Sequence, residues 1–302
     1  MIAAVVLLAS YICFRKVFYF KKKTIAPGEY DIPPGAEYDP YREQLYRWID
    51  EARSLPHENF EIRSFDGLKL RAKYYECNKD GIVELLFHGY KGNSERDMSG
   101  AIERCFALGR NAFIVDQRAC GASEGRVVTF GAKEYRDCLS WIDFAIEHFG
   151  PDVKLIISGV SMGAATVVLA AGEKLPKNVL CALADCGYSS TEKIIKKVIK
   201  EMRLPSDLLY PLVRLGGIIF GGFDTNDKVP LDAISRATIP VILIHGDADG
   251  FVPCYMSEEL YEACSSEKSF VKIAGADHGL AFPADKKGYL SAISDFQNKC
   301  GF

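Results

Sequence analysis

No C-x-x-C pair occurs among the ten cysteines, which are scattered from Cys13 to Cys300. Disulfide frameworks belong to small secreted chains, so these thiols read as small buried apolar groups and favour a reducing compartment. The five histidines contain no H-E-x-x-H and no metal-ligand spacing, and we expect neither a metal nor a cofactor. Basic charge is not in excess. Lys and Arg number 37 against 40 Asp and Glu, a net charge of -3, which leaves no basic face for nucleic acid. The almost wholly apolar stretch Met1 to Phe14, broken only by Ser10, is short for a membrane span of about 20 residues. It has no basic segment before it and no small-x-small cleavage site after it, so a signal peptide fits poorly.

What is present is a chain of 302 residues, 48% hydrophobic and 25% charged, enough for a globular body with one large core. After Arg15 and Lys16 the apolar character resumes over Val17 to Phe20 and closes at Lys21 to Lys23. Twenty residues as a helix would cover about 30 Å if Arg15 and Lys16 snorkel. Residues 1–23 are therefore expected to be a membrane anchor. Basic residues on their C-terminal side put the body in the cytoplasm. The alternative is a buried or interfacial helix on a soluble cytoplasmic protein. Residues 24–56 read as a Pro/Gly-rich linker followed by a helix over Tyr41 to Arg53. Residues 57–302 read as the main domain.

That domain opens with a hairpin, Asn59 to Cys77, alternating with period two around Asp66-Gly67. Apolar strands and amphipathic helices then alternate: strands over Gly81 to Phe87, Asn111 to Val115, Val153 to Ser158, Val179 to Ala184, Pro240 to Ile244 and Ser269 to Ile273. This rhythm predicts an α/β fold, a mostly parallel sheet covered by helices on both faces, with sites at the carboxyl ends of strands. His88, Ser161, Asp249 and His278 all fall at such ends.

The centre of the pattern is Gly159-Val160-Ser161-Met162-Gly163, between an apolar strand and a small-residue helical run, Ala164 to Ala171. G-x-S-x-G in the order strand, sharp turn, helix holds a serine hydroxyl above the sheet edge in a strained backbone conformation. A serine hydroxyl needs a base, and the base an orienting carboxylate. Chain order in such elbows runs Ser, then Asp or Glu, then His. His278, in a loop after the last strand, is assigned as base, and His245 as a residue packed behind its strand end. Asp249, braced by Gly250 and Pro253, is assigned as acid, with Asp247 and Asp185 as rivals. The oxyanion donors are expected to be the backbone amides of Met162 and Tyr90, with His88 bracing the Tyr90 loop.

Five stretches, FHGYKGN, DQRACGASEG, GVSMGAAT, IHGDADGFVP and ADHG, resemble the α/β-hydrolase superfamily, and within it bacterial serine hydrolases of the Bem46-like, YqkD-like and cinnamoyl-esterase-like groups. They span roughly Phe60 to the C-terminus. The second usually reads D-x-R-G-x-G-x-S. Here Ala119 stands where Gly is common, which we expect to be neutral. The resemblance implies an α/β-hydrolase fold with a small helical lid between the sixth and seventh strands. That is where residues 204–232 break the strand–helix rhythm. Gly216, Gly217, Gly221 and Gly222 read there as hinges, and Leu208, Leu209, Leu212, Ile218, Ile219 and Phe220 as an acyl pocket or as ordinary core. The expected function is a serine hydrolase of carboxylic esters, acting on a small-molecule ester or acyl substrate through an acyl-enzyme on Ser161. A peptidase or thioesterase on the same triad, and a non-catalytic membrane-tethered binding protein, stand as alternatives.

Overall fold

The computed structural model describes residues 1–22, 25–26 and 28–302. Lys23 and Thr24, where the anchor was expected to end, lie outside the described residues. In chain order the elements are α1 (Ile2–Val17), a 3-10 turn (Ala36–Tyr41), α2 (Arg42–Ser54), β1 (Glu58–Arg63), β2 (Lys69–Tyr75), β3 (Val83–Phe87), α3 (Ser94–Ala107), β4 (Asn111–Asp116), α4 (Glu134–Phe149), β5 (Leu155–Val160), α5 (Met162–Ala171), β6 (Val179–Asp185), α6 (Thr191–Glu201) and α7 (Ser206–Gly216). A π-helical turn (Gly217–Gly221) follows, then α8 (Pro230–Ile234), β7 (Val241–Gly246), α9 (Tyr255–Ala263), β8 (Lys268–Ile273), α10 (Ala281–Ala284) and α11 (Lys286–Cys300).

One eight-stranded sheet runs β1-β2-β4-β3-β5-β6-β7-β8. The β1–β2 hairpin and the β2–β4 pair are antiparallel, and every later pairing is parallel. Burial explains the difference. β3, β4 and β7 are buried at every position, whereas β1 alternates between exposed and half-buried residues. A strand covered on both faces has to be apolar throughout; an edge strand does not. The period of two then divides the core. Leu85, Phe87, Phe113, Val115 and Ile157 pack on one face beneath α4 and α5, around Trp141. On the other face Leu86 and Ile114 meet α3, while Ile156, Leu183 and Ile242 meet α11.

A third cluster caps the carboxyl ends of the strands and joins Phe14 and Phe18 to Met162, Tyr188, Tyr210, Val213, Phe223, Val252 and Met256. Here the N-terminal segment departs from expectation. No helix among the described residues is long and apolar enough to cross a membrane. α1 ends at Val17, and Phe18 to Phe20 turn back to pair with residues 126–128. Ser10 and Phe14 press against Gly216, where any side chain would collide with the Ser10 carbonyl. Gly216 and Gly217 are helical and serve this close approach, so they are packing positions and not hinges. Of the six expected acyl-pocket residues, Leu208, Ile218 and Ile219 are exposed, and Phe220 packs on Tyr11 and Phe14.

Candidate active site

β5 delivers its carboxyl end to Ser161 and α5 starts at once. The turn is as tight as the glycine pattern demands: Ser161 has φ 56° and ψ -115°, a region that costs a non-glycine residue about 1–3 kcal/mol. A side chain at Gly159 would collide with Gly163, and one at Gly163 with the Phe87 carbonyl. The strain is held by the Ser161 amide, which donates to the Asp185 carbonyl at 2.8 Å, and by α5, whose residues are all buried.

Ser161 Oγ lies 2.9 Å from His278 Nε2, and His278 Nδ1 lies 2.8 Å from Asp249 Oδ2. The three residues assigned from the sequence are therefore brought together. Asp249 Oδ1 accepts from the Phe251 and Val252 amides at 2.9 and 2.7 Å. Burial opposes ionisation of this carboxyl, but the hydrogen bonds and charge of His245 and His278 outweigh it and hold the pKa at about 2. An ionised carboxylate only accepts, so His278 Nδ1 carries the proton and Nε2 accepts from the Ser161 hydroxyl. The rivals are occupied elsewhere. Asp247 Oδ1 accepts from the Gly275 amide at 2.7 Å. Asp185 Oδ2 accepts from Tyr289 at 2.9 Å, and burial raises its pKa.

The Tyr90 loop runs beside the serine; a Cβ on Gly89 would sit 3.6 Å from that of Ser161. His88 is fully buried, takes the Gln117 amide on Nε2 at 3.0 Å and reaches the Gly89 carbonyl from Nδ1 at 2.8 Å. It braces the loop, and burial lowers its pKa, so it stays neutral. Among the described residues, neither the Tyr90 nor the Met162 amide donates to a protein acceptor.

One group of metal-ligating side chains stands out among the described residues: Cys186, Asp249 and His278, whose ligand atoms lie within 4.8 Å of one another. Two of them already share a proton. Burial pushes the Cys186 thiol well above its ordinary value, so it stays protonated.

Residues 85–210 match the family model of the alpha/beta hydrolase fold. The chain has the α/β-hydrolase fold. Among curated relatives, YqkD of Bacillus subtilis is 27% identical over 190 residues, 63% of this chain and 62% of YqkD. The chain thus spans less than two thirds of that relative. YfhR of Escherichia coli K12 is 25% identical, covering 79% of this chain and 80% of YfhR. Among solved structures, the Pyrococcus furiosus esterase Pf2001 superposes with a TM-score of 0.67 at 22% identity, over 92% of this chain and 99% of Pf2001. Est1E from Butyrivibrio proteoclasticus, with ferulic acid bound, gives 0.60 at 20% identity, over 80% and 98%.

Three features of the site were not read from the sequence. His245, set aside as packing, is fully buried and its Nε2 lies 3.1 Å from Asp249 Oδ2 and 2.8 Å from the Val252 carbonyl. Its Nδ1 meets Ser257 Oγ at 2.7 Å. The spacing of four in H-G-D-A-D was the available signal. Tyr38, inside the stretch read as linker, is buried and donates to the His278 carbonyl at 2.9 Å; a Pro/Gly-rich run gives no signal for it. Ala119 was expected to be neutral, yet it has φ 66°. Left-handed backbone favours glycine, which accounts for the family's usual residue there.

Proposed function

We propose that this chain is a serine hydrolase that cleaves carboxylic esters through an acyl-enzyme on Ser161. One observation carries the reading: the continuous chain from the Ser161 hydroxyl through His278 to the ionised Asp249 carboxylate, with links of 2.9 and 2.8 Å. His278 takes the serine proton as Oγ bonds to the ester carbonyl carbon. The carbonyl oxygen becomes an oxyanion opposite the Met162 and Tyr90 amides. Losing one such donor typically costs about 3 kcal/mol of transition-state stabilisation. His278 then gives its proton to the departing alkoxide. A water molecule, deprotonated by the same imidazole, splits the acyl-enzyme and restores the serine. Asp249 fixes the imidazole tautomer and stabilises the imidazolium in both halves.

The ester class is chosen because Pf2001, which shares the fold, is named an esterase. The test is turnover of 4-nitrophenyl esters from acetyl to decanoyl, beside an acyl thioester and a peptide anilide. We expect the esters to be cleaved fastest. Cleavage of the thioester or the anilide alone would overturn the ester assignment while leaving the nucleophile in place.

A further inference from the structure

We infer that α1 is an in-plane membrane helix that seats the protein on one anionic lipid leaflet, with the inner face of its second half on the protein and its exposed apolar side chains among the acyl chains. Up to Phe14 only Ser10 of α1 is polar, so the helix is apolar on all sides. Such a helix is buried all round when it is stable in a globular protein. α1 packs on the body only through its second half, where Ser10 and Phe14 are buried; every residue from Ile2 to Leu8 is exposed. Ser10 and Phe14, with Phe18 just beyond, form the stripe that packs on Gly216, Gly217 and Gly221. At 100° per residue, Val5, Leu8 and Ile12 fall on the opposite face, and all three are exposed, Leu8 by 61%. Ile2 and Tyr11 flank them, also exposed, and Leu7, two turns before Phe14 on the same line, is exposed as well. The segment that α1 packs against leaves Leu208, Ile218 and Ile219 exposed as well. Large exposed apolar side chains in this number mark an interaction site.

Charge identifies the occupant. Arg15, Lys16, Lys21 and Lys22 follow the apolar face directly, and the first acidic residue of the chain is Glu29. Two copies meeting through parallel α1 helices would bring one basic run against the other. An anionic headgroup layer instead pairs with it, and each basic residue near such a surface contributes to binding. Tyr11, Tyr19 and Phe20 lie beside the basic residues, the level at which aromatic rings meet headgroups.

The same contacts oppose a transmembrane orientation. The last carbonyls of α1 are held by the body: Tyr90 Oη donates to the Val17 carbonyl, and Lys91 Nζ to the Lys16 carbonyl at 3.1 Å. Spanning would require peeling Phe14 and Phe18 from their cluster and breaking both bonds. The inference does not depend on the proposed reaction.

The experiment is flotation of the full chain with vesicles of phosphatidylcholine alone and of phosphatidylcholine with about one third phosphatidylserine. We expect binding to the anionic vesicles at least tenfold tighter than to the neutral ones. Val5→Asp combined with Leu8→Asp should weaken it at least tenfold and leave turnover of a short soluble ester unchanged, since neither side chain touches the body. A peptide tag at the N-terminus should stay open to protease added outside the vesicles. Three results overturn the inference: no binding of the full chain to either vesicle; equal binding by the double variant; or a tag protected by the bilayer, which means a span. A full chain that fails to float but dimerises, with the dimer lost in the double variant, assigns the face to a second copy.

Discussion

Two buried carboxylates in this molecule sit in similar company and do different things. Glu84, inside β3, is fully buried and bonded by Arg104 and by Arg110 at 2.6 Å. Asp249, after β7, is bonded by His278 and His245 at 2.8 and 3.1 Å. Burial works against the charge in both, and basic partners outweigh it, so both are held at about 2. The difference is in the partners. Guanidinium groups keep their protons at every working pH, so the Glu84 cluster is a fixed joint between β3, α3 and β4. Imidazoles exchange protons near neutrality, and one of Asp249's two reaches a serine. A buried carboxylate paired with arginine is structural, whereas one paired with histidine can move a proton.

Substitutions should separate the two roles. The largest effect is expected at the end of the histidine chain: Ser161→Ala should keep the fold and lower ester turnover by about 10⁴–10⁶. Normal turnover, with contamination excluded, would remove the nucleophile from the account. Asp249→Asn should also fold and lose about 10⁴ in kcat, because an amide no longer fixes the imidazole tautomer. Asp185→Asn and Asp247→Asn should be far milder at matched folding. If either proves the more damaging, the acid has been misassigned.

Glu84→Gln should show the opposite signature. It leaves two buried guanidinium groups short of a charge partner, at a cost of about 3–5 kcal/mol in stability. Folded variant, assayed at low temperature, should retain most of its turnover. The pH dependence follows the same carboxylates. Each has a folded pKa below its unfolded value, so its stabilisation is complete above the unfolded value and is lost as pH falls toward 2. For Glu84 the shift from 4.5 to about 2 corresponds to roughly 3 kcal/mol. Acid unfolding of Glu84→Gln should therefore be shallower than wild type between pH 4.5 and 2. An unchanged slope contradicts the linkage.

The smallest effect is expected at His245, which touches the acid but not the serine. His245→Ala removes one donor to Asp249 and should cost about tenfold in kcat, in line with roughly 1.5 kcal/mol for a hydrogen bond to a charged group. KM should change little. Titration of the Asp249 carboxyl should move up from about 2. His245→Gln, which keeps a donor, should recover part of the loss. A variant with lower stability but an unmoved Asp249 titration would make His245 a packing residue.

The parallel sheet was legible because each buried strand is a short apolar run bounded by turn residues. Ser161 was legible because steric demand at a strand-to-helix elbow leaves glycine at both flanks. Asp249 could be ranked above its rivals but not separated from them, since the rotation of one turn decides which carboxylate faces His278. The remaining misses share a cause. Tyr38, Ser10 and Gly216 act through contacts with segments far away in the chain, and no local periodicity encodes a distant partner. Apolar residues of α1 signal that something must cover them; the sequence does not say that one face is covered by α7. Exposure of Ile218 and Ile219 was hidden for the same reason, because an apolar glycine-flanked stretch reads alike whether it lines a pocket or faces outward.

The central claim is that Ser161 is a nucleophile activated by the His278–Asp249 pair. Intact-mass spectrometry after incubation with a fluorophosphonate tests it without knowledge of the natural substrate. The account predicts one phosphonyl adduct per chain, mapped to Ser161 by peptide sequencing, slowed by Asp249→Asn and absent from Ser161→Ala. An unmodified wild-type chain at saturating reagent, or an adduct that persists in Ser161→Ala, would contradict it.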